Sequence, residues 1–418
     1  MSNEDPFVLK SYYFLTFDPV YVGTGGYRLG RVDNTIVREP GTNIPKIPGS
    51  SISGVVRAYT AMAIQSNAII NEQKDHKINY KEYLKCKYLR PAYQFKNING
   101  KVEVDNFGNA VIITGKDGQI LYDDFINPIK PKYHSCAGKG IDDGEGHCGQ
   151  PDCPVCIAFG FSKGKSKISF QGLVQFFDAR ILFFPVHSML GPVWITCPSI
   201  LKDFKDSLFK SDDQITIDLS NISDFDNSKY FIQTELIQKD DSLNLGWIYL
   251  QNNNNLKPLL ENDELNKLNI NKEILNRLVL VPDKLFSQIV NDNLEVRTSN
   301  AIDPATGAAE DGALYSYEAI PRATVMWFDV VYNKPEYFKV PVIKNGKIEQ
   351  EDIKEKWDWL KENVEKGFSY FEYLGIGGMG TRGMGRIKIL NLKDQDNKEN
   401  NNTSKTNKET NDDINNQN

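Results

Sequence analysis

The chain has 418 residues, 40% of them hydrophobic and 25% charged, with a formal net charge of -6. That composition is ordinary for a globular protein, and the acidic balance excludes non-specific coating of nucleic acid as the whole function while leaving room for a local basic groove. No apolar run is long enough to span a bilayer, and the polar start Met1–Pro6 is not followed by a secretory apolar core, so a cytoplasmic location is expected, where clustered cysteines more often bind metal than pair.

Phe7 to Phe17 is aromatic and β-branched and predicts a strand. A polar loop follows to Gly49, with Gly23, Gly25, Gly26 and Gly30 for backbone freedom and Arg28, Arg31, Arg38 and Lys46 as cations. It ends at "PGSSISGVVRAYTAMAI", where Ser50 or Ser51 can cap a helix. Ile52, Val55, Val56, Tyr59 and Ala63 make one buried stripe of that helix, and Arg57 falls off the stripe. The free N–H groups of a helix start favour a phosphate, so Arg28 to Arg57 reads either as a track for an RNA backbone or as a solvated loop face. Asp33 stands among these cations, either as an Asx-turn residue or as a functional carboxylate.

From about Cys86 to Lys165 the periodicity breaks into Gly, Asp, Pro and Cys. "HSCAGKGIDDGEGHCGQPDCPVC" holds Cys136, Cys148, Cys153 and Cys156, with His134 and His147 beside them. Cys153 and Cys156 form C-x-x-C, which lets two thiolates reach one ion, and four such ligands satisfy tetrahedral zinc. Cys136 completes an all-cysteine set, or His147 replaces it or Cys148. A structural zinc is the expected role, since a loop with few apolar residues can draw its order from a metal. A zinc deaminase needs H-x-E upstream, and here Glu145 to His147 has the reverse order. Cys86 and Cys197 read as buried apolar residues.

Strands are predicted over about Ile168 to Phe184 and Val193 to Thr196. Residues 200–295, rich in Asn, Asp, Lys and Leu, read as partly helical through "NKEILNRLVLVPDKLFSQIV". Glu295 to Val331 reads as a hairpin with "DPATG" as its turn, followed by a strand at Val325 to Val331. Residues 351–374 predict a helix. "GIGGMGTRGMGRIKIL" then packs six glycines into Gly375 to Gly385 before a short strand, Arg386 to Leu390. G-x-G-x-x-G occurs twice there, but a nucleotide fingerprint must follow a strand and open a helix, and this order is inverted. The loop reads instead as an amide-rich surface near phosphate, or as a tight connection beside a helix. After Leu392 almost no apolar residue remains, and a disordered tail is expected. Strand, helix, strands, helix, strand with inserts indicates an α+β fold.

Four segments, "GRVDNTIVRE…IPKIPGSSISGVVR", "ARILFFPVHSMLGPVWITCP", "DPATGAAEDGALYSYEAIP" and "GIGGMGTRGMGRIKI", together resemble the RAMP superfamily of CRISPR systems. The likeness is strongest to backbone subunits of type III effectors of the Cmr (III-B) branch and covers most of residues 7–391, the 200–290 region excepted. The C-x-x-C-x-x-F-G at Cys153 to Gly160 is also similar to zinc-bearing type III backbone subunits, the Csm branch included.

The resemblance implies a ferredoxin-like palm, related to the RNA-recognition fold, with an inserted zinc-binding finger region and a thumb β-hairpin. It divides the chain into 1–85 (palm start, catalytic loop and first helix), 86–165 (zinc-binding insertion), 166–199 (palm strands), 200–294 (helical or irregular insertion), 295–331 (thumb), 332–391 (palm helix, glycine loop, last strand) and 392–418 (tail). It implies CRISPR RNA, complementary target RNA, further copies of the chain and other type III subunits as partners, and no membrane. It places Asp33 in the loop whose aspartate serves target-RNA cleavage, with Mg²⁺ or another divalent cation. Arg28, Arg31, Arg38, Lys46, Ser50, Ser51 and Arg57, with Gly377, Gly378, Gly380, Arg382 and Gly383, would line the RNA. His187 reads as a core or RNA-stacking residue or as a proton donor. The alternative is the same scaffold without cleavage.

Overall fold

Strand β1 (Phe7–Thr16) lies inside the main sheet, because its neighbouring side chains are buried on both faces. Tyr12 packs on Phe328 and Phe368, while Tyr13 meets Phe204 on the opposite side. A computed structural model describes residues 5–25, 32–72, 77–79, 96–98, 101–104, 109–111, 136–138, 146–211, 229–232, 242–252, 268–310 and 314–392. Arg28, Arg31, His134, Cys86, most of the 86–165 stretch and the tail beyond 392 lie outside the described residues.

Helix α1 (Gly49–Glu72) follows β1 through the long loop. A short helix α2 (Pro154–Phe159) carries Cys156 and precedes β2 (Val174–Phe176), β3 (Arg180–Ser188) and β4 (Gly191–Thr196). Then come α3 (Pro198–Lys210), β5 (Lys229–Ile232), β6 (Ser242–Leu245), β7 (Ile248–Asn252), β8 (Leu278–Leu280) and α4 (Asp283–Asp292). The hairpin strands β9 (Glu295–Ser299) and β10 (Tyr315–Ala319) precede β11 (Val325–Asn333), α5 (Trp357–Phe368) and β12 (Ile387–Ile389).

The ten-stranded sheet runs β6-β7-β5-β8-β4-β3-β11-β1-β12, with β2 also on β11. β1 pairs antiparallel with β11 from Phe7↔Asn333 to Leu15↔Val325, and with β12 from Phe14↔Ile389 to Thr16↔Ile387. β11 pairs antiparallel with β3. Helices α1, α2 and α5 pack together, and α3 packs against β1 and β3. Phe204 of α3 meets Trp327 across that second layer, and Phe368 of α5 meets Phe328 across the first.

Several elements differ from the sequence expectation. The predicted strand Ile168 to Phe184 is broken, because residues 177–179 turn away: Ala179 exchanges both backbone hydrogen bonds with Ile47. The predicted helix 351–374 begins only at Trp357. Residues 347–352 instead pair with Lys339–Lys344 in a ribbon turned by Asn345 and Gly346, both at positive φ, the backbone that a two-residue hairpin turn demands. The described residues of the 200–294 stretch hold four strands that extend the main sheet, with β8 parallel to β4. The hairpin limbs end at Ala319, and β11 belongs to the sheet. Beyond the limbs, Asp303 folds the tip by accepting from Ala305 N and Thr306 Oγ1. Among the described residues no helix is long and apolar enough to cross a membrane.

The two helices α1 and α5 touch most closely at Gly367, where an added Cβ would stand 2.5 Å from Thr60 Oγ1 and 3.1 Å from the Val56 carbonyl oxygen. A backbone neighbour cannot yield as a flexible side chain does. Gly367→Val is therefore expected to destabilise the protein by about 1–3 kcal/mol, read as a lower urea midpoint; an unchanged midpoint contradicts this packing.

Candidate functional site

The loop after β1 is held by pairing on both sides. Val37 N donates to Val22 O and Thr24 N to Thr35 O, and Asn34 bridges Tyr317 of β10 in parallel. Buried Val32 and Ile36 face inward, which leaves Asp33 exposed between them. Its carboxylate does not close an Asx-turn in its own loop. Asp33 Oδ2 accepts from Ser316 N at 2.7 Å and Ser316 Oγ at 2.9 Å, while Asp33 N donates to Ser316 Oγ at 3.2 Å. Hydrogen bonds from the Ser316 amide, then from its hydroxyl, hold the carboxyl below the usual carboxylate range. An ionised acid is thus fixed at the root of the β9–β10 hairpin.

Arg38 points away from this surface. Its NH1 meets the buried Glu318 Oε1 at 2.5 Å and the Ile36 carbonyl at 3.0 Å, and its Nε donates to Asn291 Oδ1 at 2.8 Å. Glu318 Oε1 also accepts from Ile36 N at 2.9 Å. On α4, Ser287 donates to Thr42 O and Asn291 to Asn43 O, so hairpin and helix grip the loop together. Lys46 is likewise partnered: its Nζ lies 2.6 Å from Asp178 Oδ2. Asp178 Oδ1 accepts from Gly49 N at 2.8 Å, so this carboxylate takes the first amide of α1. Helix α1 starts before Ser50 and Ser51, which therefore stand in its first turn and do not precede it as caps.

The glycine loop is chiefly a close crossing. Gly377, at φ 85°, has the Tyr21 carbonyl oxygen 2.3 Å from where a Cβ would stand. Gly378 N donates to Tyr21 O, Gly385 N to Pro19 O, Ile376 N to Gly385 O and Gly383 N to Gly380 O. Those amides are occupied internally, which corrects the expectation of a bare amide surface at Gly378 and Gly383. Gly380 and Gly383 have open space around their Cβ positions. Tyr59 of α1 donates to Gly375 O at 2.8 Å, which ties the loop to the first helix. Arg382 reaches the hairpin: its guanidinium hydrogen-bonds Tyr315 Oη, lies 5.8 Å from the Tyr315 ring centre and meets Ser299 Oγ at 3.4 Å. Tyr315 and Ser299 face each other across β9 and β10. The loop with Asp33 and the glycine loop thus converge on the adjacent residues Ser316 and Tyr315.

The sulfur atoms of Cys136, Cys148, Cys153 and Cys156 all lie within 4.8 Å of one another. A tetrahedral ion with metal–sulfur bonds of about 2.3 Å sets its sulfurs about 3.8 Å apart; Cys148 and Cys156 Sγ are 3.7 Å apart. Four thiols at that spacing can hold a metal ion. The Cys136 thiol is driven strongly down, chiefly by hydrogen bonding with Cys148, whose own thiol is driven up by the same contact. His147, the alternative ligand, is buried beside the four sulfurs: its side chain hydrogen-bonds the Cys136 thiol, and its Nδ1 lies 3.3 Å from Arg57 NH2. Arg57 therefore faces the cysteine loop and not a phosphate track. It donates through Nε to Cys136 O at 2.7 Å and through NH2 to Gly160 O at 2.8 Å. Cys197 is buried, and burial pushes its thiol up to about 12.

His187 is exposed on β3, not in the core. Ser316, Glu318, Asp178 and Tyr315 were not singled out from the sequence. Only the alternation in "LYSYEAI" marks the strand that carries three of them, and it names no partner.

The sequence profile of the RAMP superfamily matches residues 13–388. The CRISPR system Cmr endoribonuclease Cmr4 of Pyrococcus furiosus is 26% identical over 229 residues, which span 52% of this chain and 68% of that protein. Among solved structures, a Type III-B Cmr-beta assembly in the apo state, seen by cryo-electron microscopy, contains a chain similar at a TM-score of 0.49 and 15% identity, covering 93% of this chain and 98% of that one. Oligomeric Cmr4 from Pyrococcus furiosus, seen by crystallography, is similar at a TM-score of 0.44 and 18% identity, covering 92% and 98%.

Removing one partner of a buried ion pair strands the other. Glu318→Ala is therefore expected to cost about 3–5 kcal/mol, with Glu318→Gln less damaging because its amide oxygen can still accept from Ile36 N. Thermal unfolding of the two variants checks this; equal midpoints for both variants and wild type would remove Glu318 from the loop's anchorage.

Proposed function

The chain belongs to the RAMP superfamily, and on that premise we propose that it is a backbone subunit of a type III CRISPR effector of the Cmr branch. It binds CRISPR RNA and cuts complementary target RNA beside its own hairpin. The observation that carries this is the fixed Asp33 carboxylate on Ser316, one residue from the Tyr315–Arg382 contact. The relative with 26% identity is named an endoribonuclease, which agrees with a cutting role.

The sheet supports reading the centre as a ferredoxin-like palm. Strand, helix, two strands, helix and strand occur as β1, α1, β3, β11, α5 and β12, and the four strands lie side by side as β12-β1-β11-β3, all antiparallel. The β9–β10 hairpin is then the thumb, and residues 86–165 are the finger insertion. Copies of the chain and other type III subunits stack along the guide, and base pairing reads the target.

In the cleavage step the 2′-hydroxyl of one target nucleotide attacks the adjacent phosphorus, and the 5′-oxygen of the next nucleotide leaves. This gives a 2′,3′-cyclic phosphate and a 5′-hydroxyl end. Asp33 supplies fixed negative charge at the thumb root, with its two bonds from Ser316 both on Oδ2. One carboxylate joined by substrate phosphate oxygens is a donor set that Mg²⁺ accepts, and such an ion would neutralise charge developing on the phosphate. Arg382 and Tyr315, one strand position from Ser316, orient the target strand. Arg28 and Arg31 belong to the same loop and are read as phosphate contacts. The four cysteines would hold a structural zinc that fixes the segments carrying them.

Asp33→Asn keeps the side chain's shape and removes its charge. In an effector assembled with guide RNA and Mg²⁺, the variant should bind target as wild type does and cut it about 10²–10⁴-fold more slowly. Unchanged cutting removes Asp33 from the mechanism, and no cutting by wild type favours a pure scaffold. Metal analysis of purified protein should find one zinc per chain, and prolonged chelation should lower the thermal midpoint. Protein with intact thiols and no zinc contradicts the structural zinc.

A further inference from the structure

Arg57 leaves α1 off the stripe of Ile52 and Val56 and reaches every segment that brings a sulfur to the cysteine cluster. Nε donates to the carbonyl of Cys136 at 2.7 Å. NH2 donates to the carbonyl of Gly160, four residues after Cys156, at 2.8 Å, and NH1 reaches Phe159 O at 3.5 Å. NH2 also lies 3.3 Å from Nδ1 of His147, which precedes Cys148. Two pieces of backbone and the ring of His147 thus meet on one guanidinium. The fork of an arginine suits this task, because its several N–H groups diverge in one plane.

The charges agree with the contacts. Four thiolates around a divalent ion leave two net negative charges in a buried place. Arg57 sets a cation against the loop that carries them. On the reading that this cluster holds zinc, we infer that Arg57 is the positioning residue of the metal centre. It offsets the centre's negative charge and fixes the Cys136 and Gly160 segments in their liganding arrangement. The same side chain fastens the metal loop to α1.

Partners outside the ligand set usually change metal affinity by about 10–100-fold. The test is zinc retention by wild type, Arg57→Ala, Arg57→Gln and Arg57→Lys, measured by competition with a chromophoric zinc chelator in non-denaturing buffer. Far-UV circular dichroism of each protein accompanies it. The inference expects a loss of affinity of about 10–100-fold for Arg57→Ala, a smaller loss for Arg57→Lys than for Arg57→Gln, and Co²⁺ spectra that keep four-thiolate character. Should Arg57→Ala fail to fold, the Lys and Gln variants carry the comparison. Wild-type affinity in folded Arg57→Gln and Arg57→Lys overturns the inference and leaves the zinc intact. A wild-type protein that takes up no zinc overturns both.

Discussion

A carboxylate taken out of water needs donors, and Glu318 obtains two of them from one loop. Arg38 and the amide of Ile36 both meet its Oε1. That interaction joins the loop after β1 to the hairpin strand β10, two elements about 280 residues apart in the chain. The rest of the site follows from it. With Ile36 and Arg38 fixed on Glu318, the parallel bridge at Asn34 and Tyr317 is set, and Asp33 comes opposite Ser316. Arg38 continues to Asn291, so α4 closes the loop from its other side. The exposed acid is held by a buried one.

The same physics explains how an acidic chain disposes of its cations. Three basic residues in the 38–57 region read as RNA ligands from composition, but each has an internal partner: Arg38 on Glu318, Lys46 on Asp178, and Arg57 on the carbonyls of the cysteine loop. Each fastens the loop or α1 to a different part of the molecule. The RNA-facing charge proposed for this surface consequently rests on Arg28, Arg31 and Arg382. Arg382 is the one of these whose position is described, and it meets Tyr315, the strand neighbour of the Ser316 that holds Asp33.

What could be read from the sequence was local. β1, α1, the final strand and the C-x-x-C set themselves by short-range pattern, and the observed elements lie within a few residues of the expected ones, though α1 begins just before the serines expected to cap it. The four cysteines were recognisable as a cluster because their spacing marks them, whereas Asp33 was singled out as a functional acid only through the family resemblance. The partners of the loop were not legible: Ser316 and Asp178 are common residues whose role depends on a contact across the fold. The glycine loop was half legible. Its glycines called for unusual backbone, but which amides face inward is decided by the carbonyls of Pro19 and Tyr21. The Asn345–Gly346 turn was local and strong, yet the helical spacing of Trp357 to Phe368 next to it masked the ribbon. Strands β5 to β8 are short and hold no long alternation, so their addition to the sheet had no signal of comparable strength.

The central claim is that the loop after β1, the hairpin root and the glycine loop meet at one linkage of the target RNA. The direct test is photo-crosslinking in the assembled effector, with a benzophenone amino acid in place of Tyr315 in one preparation and of Arg382 in another, and the crosslinked nucleotide mapped on the target. The account predicts that both positions capture nucleotides flanking the linkage that is cut. Crosslinks several nucleotides away from the cut, or at sites remote from each other, contradict it.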